Sequence, residues 1–256
     1  HTMLGEYHRP FGIMLGSIAA VALAIMFFRM IPPSERTAHT MLGEYFMSGH
    51  ASEGGPGFKF KILENGETTN GTYFQLLDRT TGDCGVGDDS GCGMTKCSPP
   101  YHTHLRQYEV FEILNGEFQF ILEGNVHRAV KGEKVVVPPN AKHTFCRGPS
   151  MKDHEELQTR ISLYPALNAG EFFPNIVGIF NDAGQNPNPL KVVWLMCHHH
   201  IRLVDIPGPV HEAMCVMLSF FGPLLGFRIV DATYAVEPSG GGVPDEEYIQ
   251  KTAGMA

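Results

Sequence analysis

The sequence has no cluster of basic residues anywhere along its 256 positions, and its 19 Lys and Arg are outnumbered by 27 Asp and Glu, for a net charge of −8. A phosphate-binding face needs clustered cations, so nucleic acid is excluded as a partner. The paired C-x-x-C spacing of a zinc ribbon is also missing. Cys84, Cys92 and Cys97 crowd one Gly-rich segment, with seven and four residues between them, and Cys146, Cys197 and Cys215 are scattered. That pattern argues against a structural zinc. One disulfide within the Gly-rich loop would suit an oxidising compartment, and free thiols are the expectation. Charge is scarce as well, at 18% against 43% hydrophobic residues, which leaves ample material for a core.

Long apolar runs are rare, with one exception. "PFGIMLGSIAAVALAIMFF", residues 10–28, is uncharged and as a helix would extend about 28 Å, close to the hydrocarbon thickness of a bilayer. Bulky residues rather than a small-residue cleavage site follow it. The run predicts a single-pass membrane anchor within residues 1–36, in preference to a cleaved signal or a buried helix. Its orientation is undetermined, with Arg9 on one flank and Arg29 and Arg36 on the other. "HTMLGEY" occurs on both sides of the run, at 1–7 and 39–45, too short a match to make a structural repeat.

Residues 37–57 end in the small, polar "FMSGHASEGGPG" and read as a linker. From 58 to 166 the hydrophobic period is two. "FKFKIL", "NGTYFQLLDR", "YEVFEIL", "EFQFILE", "KVVVP", "HTFCR" and "LQTRISLYP" are short strands parted by turn residues. Such spacing predicts an antiparallel sandwich or barrel. Residues 167–256 hold longer apolar stretches broken by Gly and Pro, and read as helices. Among them, 213–227 is too short to span a bilayer and is expected to be buried or interfacial.

The chemistry gathers in "PPYHTHLRQYEVFEILNG". His102 and His104 lie two apart on a strand and so face the same side. Glu109 is at an odd offset, so the strand must bend or bulge to bring it inward. His143 follows the turn "PPNAK". Three imidazoles and a carboxylate suit iron, manganese, nickel, copper or zinc. Four protein ligands would leave open positions on an octahedral ion. The consecutive His198, His199 and His200 point about 100° apart on a helix and cannot all face one ion, so they read as a polar helix end, with a second metal as a remote alternative.

These residues resemble the cupin superfamily. Its first motif, G-x5-H-x-H-x4-E-x6-G, is matched by His102, His104, Glu109 and Gly116, with Lys96 in place of the leading glycine. Its second, G-x5-P-x-G-x2-H-x3-N, is matched by Gly132, Pro138 and His143, with Asn140 at the turn glycine and Arg147 at the final asparagine. Asn tolerates the left-handed backbone such a turn needs. The resemblance implies a cupin β-barrel, or jelly roll, in which His102, His104, Glu109 and His143 bind one divalent transition metal. The β-domain followed by Phe-rich helices is similar to single-cupin proteins of small-molecule pathways in filamentous fungi, some of them quercetin dioxygenase-like.

Strand parity places Phe111, Ile113 and Phe145, and one face of Phe118 and Phe120, toward the barrel interior, where core packing is their default role and the wall of a substrate pocket an added one if the barrel is hollow. Arg147 shares the parity of His143 and could bind a substrate carboxylate or phenolate, or sit at the mouth in water. Tyr101 and Tyr108 flank the motif as candidate proton donors, so Glu109, Tyr108 and Arg147 form the catalytic candidates. The expected function is metal-dependent chemistry on an apolar, oxygenated small molecule, aromatic or polyketide-like, with oxygenation first. Redox-neutral isomerisation, cyclisation or decarboxylation, and non-catalytic ligand binding in a membrane-associated assembly, are the alternatives. The expected partners are that small molecule and a membrane through residues 10–28, with homodimerisation left open.

Overall fold

Along residues 108–115 and 134–137, and through much of 74–80 and 157–164, buried residues alternate with half-buried or exposed ones, so these strands turn one row of side chains to a shared interior. The structure, a computed structural model, describes residues 40–41, 45–47, 57–81, 84–92, 97–183, 187–227 and 236–237. Its strands are β1 (Thr40–Met41), β2 (Tyr45–Met47), β3 (Phe58–Glu64), β4 (Phe74–Thr80), β5 (His102–His104), β6 (Tyr108–Asn115), β7 (Glu117–Leu122), β8 (Asn125–Val130), β9 (Lys134–Val137), β10 (His143–Arg147), β11 (Leu157–Tyr164), β12 (Ile201–Leu203) and β13 (Val236–Glu237). Three helices follow the barrel strands: α1 (Ala169–Ala183), α2 (Pro189–His198) and α3 (Gly208–Phe221).

Two antiparallel sheets face each other. One runs β12-β5-β10-β7-β8 and the other β2-β3-β4-β11-β6-β9, while β1 and β13 form a separate parallel pair. Phe74, Leu76, Phe111, Ile113, Phe118, Leu157, Ile161 and Leu163 fill the space between them. Burial of each such side chain is worth about 1.5–3 kcal/mol. The chain crosses between sheets at Gly116, where φ is 85°. A Cβ there would lie 2.6 Å from Met151 Cε, so the position excludes a side chain on both counts. Asn140 adopts φ 67°, the left-handed turn expected of it.

The helices close one side of the barrel. Phe173 of α1 stacks on Phe74 and meets Phe60 edge-on, with ring centroids 5.2 and 5.5 Å apart. At the start of α2 the Asn188 side chain accepts from Leu190 N–H and Pro189 takes the first turn, a favourable start because Pro has no N–H to leave unsatisfied. Trp194 and Leu218 join α2 to α3. In 213–227, read as buried or interfacial, Leu218 is buried, whereas Val216, Met217, Phe220 and Phe221 are exposed.

Two expectations are corrected. The predicted single-pass anchor, and with it the transmembrane helix of the fold class and the membrane-associated localisation, finds no support. Among the described residues no helix is long and apolar enough to cross a membrane, and residues 10–28 lie outside them. The longest helix among the described residues, α1, has 15 residues, about 22 Å against about 30 Å of hydrocarbon. Free thiols are replaced by three disulfides, Cys84–Cys97, Cys92–Cys146 and Cys197–Cys215. Glu109 is turned inward, as expected, by a bend at residues 105–106 rather than by a bulge: His104 ends β5 in one sheet, and after residues 105–107 the chain begins β6 in the other. Strands also appear where none was read. β2 lies within the stretch read as linker, β8 follows the turn after β7, and β12 lies beyond residue 166 yet pairs with β5.

Candidate metal centre

β5 and β10 are hydrogen-bonded neighbours with His102 opposite His143, and His104 is one pleat further along β5. Glu109 approaches from β6 across the barrel. The four are buried, and their donor atoms all lie within 4.8 Å of one another. His143 Nε2 is 2.7 Å and His104 Nε2 3.4 Å from Glu109 Oε2, and the Nε2 atoms of His102 and His104 are 3.3 Å apart.

The far side of each ring sets the near side. His102 Nδ1–H donates to the Pro100 carbonyl at 2.8 Å, and His143 Nδ1–H to the Ala141 carbonyl at 3.0 Å. Both Nε2 atoms are thereby aimed at the common centre, as in a metal ligand oriented by an outer partner. His104 Nδ1 has no protein hydrogen bond. It lines, with Gln107, Asn168 and His199, a cavity of about 10 Å³, close to the room one water occupies.

Burial, reinforced by the neighbouring His143 and His104, pushes His102 down to about 3. Burial alone would raise the Glu109 carboxyl, but His104 and His143 outweigh it and hold it well below the usual carboxylate range. His143 is pushed down by burial, yet the hydrogen bond and charge of Glu109 prevail and raise it. A neutral imidazole and an ionised carboxylate are the forms that ligate a cation. This donor set fits one divalent ion. Two closing sheets and a His-His-Glu-His quartet at motif spacing decide the family of fold.

The fold is that of a cupin.

No family model matches the chain, and no curated protein does. Solved structures similar to it include KdgF from a Halomonas species, at 16% identity over 44% of this chain and 83% of that one, with a TM-score of 0.33. The cupin domain of Cnp3 from Schizosaccharomyces pombe is similar at 13% identity over 44% and 68%, TM-score 0.32. EutQ from Clostridium difficile is similar at 17% over 48% and 72%, TM-score 0.32. Likenesses of this size concern the fold and carry no argument about activity.

Beside the quartet the barrel holds a cavity of about 400 Å³. His102, His104 and Glu109 stand on its wall, with Phe58, Phe60 and Ile161 from the barrel and Phe172, Phe173 and Phe180 from α1. Of the five predicted pocket residues only Phe145 lines it; Phe111, Ile113, Phe118 and Phe120 pack in the barrel core. Arg147 lines the cavity too, but at 1% exposure it is not at a wet mouth. Its guanidinium donates to the carbonyls of Gly85, Lys152 and Glu155. Tyr108 is not brought to the site. It precedes inward-facing Glu109, so it points outward and is 50% exposed. The hydroxyl of half-buried Tyr101 accepts from Gly124 N–H.

The histidine triplet ends α2 as expected, with His198 exposed. His199 is buried, and neither of its ring nitrogens has a protein hydrogen bond, although the Asn168 backbone faces the ring. Burial first, then His198 and His200, pushes His199 down to about 3. Cys197, His211 and Cys215 also cluster, but the two cysteines are bonded to each other and are not free ligands. Sequence reasoning missed Asp78, a buried acid on the cavity wall. Its signal was parity: Phe74, Leu76, Asp78 and Thr80 form one inward row of β4.

Proposed function

We propose that this cupin is a metal-dependent enzyme acting on an apolar, oxygenated small molecule, with oxygenation as the reaction. The observation that carries the reading is the cavity of about 400 Å³ with three members of the quartet on an otherwise largely apolar wall. Apolar enclosure with a few convergent polar groups is the usual form of a small-molecule site.

His102, His104, Glu109 and His143 would hold one iron, manganese, nickel, copper or zinc ion. Such an ion supplies Lewis acidity to a ligand oxygen and, where redox-active, a means of using dioxygen. The chain does the rest. The Pro100 and Ala141 carbonyls fix two imidazoles, and Glu109 contributes the negative charge. Phe145, Phe172 and Phe173 exclude water and orient a flat apolar body beside the quartet. Arg147 stays engaged with backbone carbonyls and shapes the wall.

Oxygen uptake and product mass, measured with a panel of phenolic and enolisable polyketide-like compounds, test the reading. Uptake is expected with at least one compound, abolished by chelation and sharply reduced in Glu109→Gln, which keeps size but removes charge. Full turnover by both the chelated protein and Glu109→Gln would place the chemistry outside the quartet. Turnover without uptake would identify a redox-neutral reaction, and binding without turnover a ligand carrier.

A further inference from the structure

The cavity carries a second polar feature away from the quartet. Asp78 lines it and is only 3% exposed. The hydroxyls of Thr80 and Thr159 donate to its Oδ2, each at 3.4 Å, while Oδ1 is buried with no hydrogen-bond partner. Arg147, on the same wall, donates to three backbone carbonyls, and the adjacent Arg79 pairs with Glu156. Among the described residues no cation is paired with Asp78.

An unpartnered carboxyl oxygen in an apolar interior is costly, and a hydrocarbon side chain would pack there without that cost. The position is also specific. Leu163 pairs with both Glu109 and Phe74, so these share one row across the six-stranded sheet. Asp78 lies four residues beyond Phe74 on β4, about 13 Å along the strand. Arg147 lies four residues beyond His143 on β10, so the quartet is at one end of the cavity and Asp78 toward the other.

We infer that Asp78 is a second ligand subsite, taking a hydroxyl or carbonyl oxygen of a molecule whose other oxygenated end meets the quartet. This rests on the pocket reading above and adds a substrate class: an apolar body with oxygen at both ends. Burial pushes the Asp78 carboxyl up to about 7, partly offset by Thr80 and Thr159. Near neutral pH it can donate to a carbonyl when protonated or accept from a hydroxyl when ionised.

Calorimetric titration of the zinc-loaded protein with 4-hydroxybiphenyl and 4,4′-dihydroxybiphenyl tests this without turnover. In wild type the second hydroxyl should tighten binding about tenfold, the size of one buried hydrogen bond. The gain should vanish in Asp78→Leu and persist largely in Asp78→Asn, which keeps a polar group in place. Asp78→Ala carries the same test if the leucine variant does not fold. No gain in wild type, or an undiminished gain in the apolar variants, overturns the subsite. Failure of 4-hydroxybiphenyl to bind wild type would instead overturn the pocket reading, and the subsite with it.

Discussion

The two ends of the cavity treat buried charge in opposite ways. At the quartet, Glu109 is met by His104 and His143 and stays ionised although almost fully enclosed. Toward the other end, Asp78 has two hydroxyls on one oxygen and nothing on the other, and burial raises its pKa. One carboxyl keeps its charge because partners compensate for lost hydration; the other holds its proton up to about 7 because two hydroxyls compensate only in part. The first arrangement suits a cation, the second a neutral oxygenated molecule.

The largest expected effect breaks the first end alone. His102→Ala combined with His104→Ala should abolish copurifying metal, read by elemental analysis, whereas Asp78→Leu should leave metal content at the wild-type level. Full occupancy in the double variant would dissolve the distinction between the ends.

Next in size is an opposed response to pH in the metal-free chain. The raised pKa of Asp78 stabilises the fold fully below its unfolded value near 4, and this is lost as pH rises through about 7. The depressed Glu109 and His102 act in the reverse sense. Glu109 contributes stability above its unfolded value that is lost as pH falls, and unfolded His102 takes up a proton below about 6.5 that folded His102 refuses. His143, being raised, opposes them and favours the fold at low pH. Asp78→Asn should therefore be more stable than wild type at pH 8 and lose that advantage at pH 4. The difference is at most about 4 kcal/mol, for a carboxyl raised from 3.8 to about 7. Urea midpoints at the two pH values measure it, and parallel curves would remove Asp78 from the account.

The smallest effect is expected on the wall between the ends. Phe145 is half-buried and already faces the cavity. Phe145→Ala should cost less than the roughly 3–5 kcal/mol typical of a fully enclosed Phe, while weakening 4-hydroxybiphenyl binding. A full core-sized loss of stability in thermal melts would place the ring in the core instead.

What was legible in the sequence follows from how local each signal is. His102, His104, Glu109 and His143 sit within two short stretches whose spacing is itself the signal, and the structure brings their donors together. Parity within one strand was enough to turn Phe111 and Ile113 inward, but not to tell core from cavity wall, because helix α1 supplies much of that wall from a distant part of the chain. β8 escaped notice because it is an edge strand whose only buried residue is Ala129, leaving almost no apolar alternation. The Cys92–Cys146 pair depends on sheet register: Cys146 lies opposite Gln119, whose amide donates to the carbonyls of Asp88 and Gly91. No spacing along the chain encodes that proximity.

That disulfide has a consequence for assembly. Cys92 and Cys146 are 54 positions apart, and all four quartet residues fall between them. An oxidised but unfolded chain thus carries every donor on one covalent ring, a restriction worth about 4 kcal/mol of chain entropy. Ring closure and capture of the proposed ion would then draw on the same freedom, as two links of one chelate. Their gains are less than additive. When the ring forms first, an ion meets donors already confined; when the thiols stay reduced, gathering an open segment falls to the ion itself.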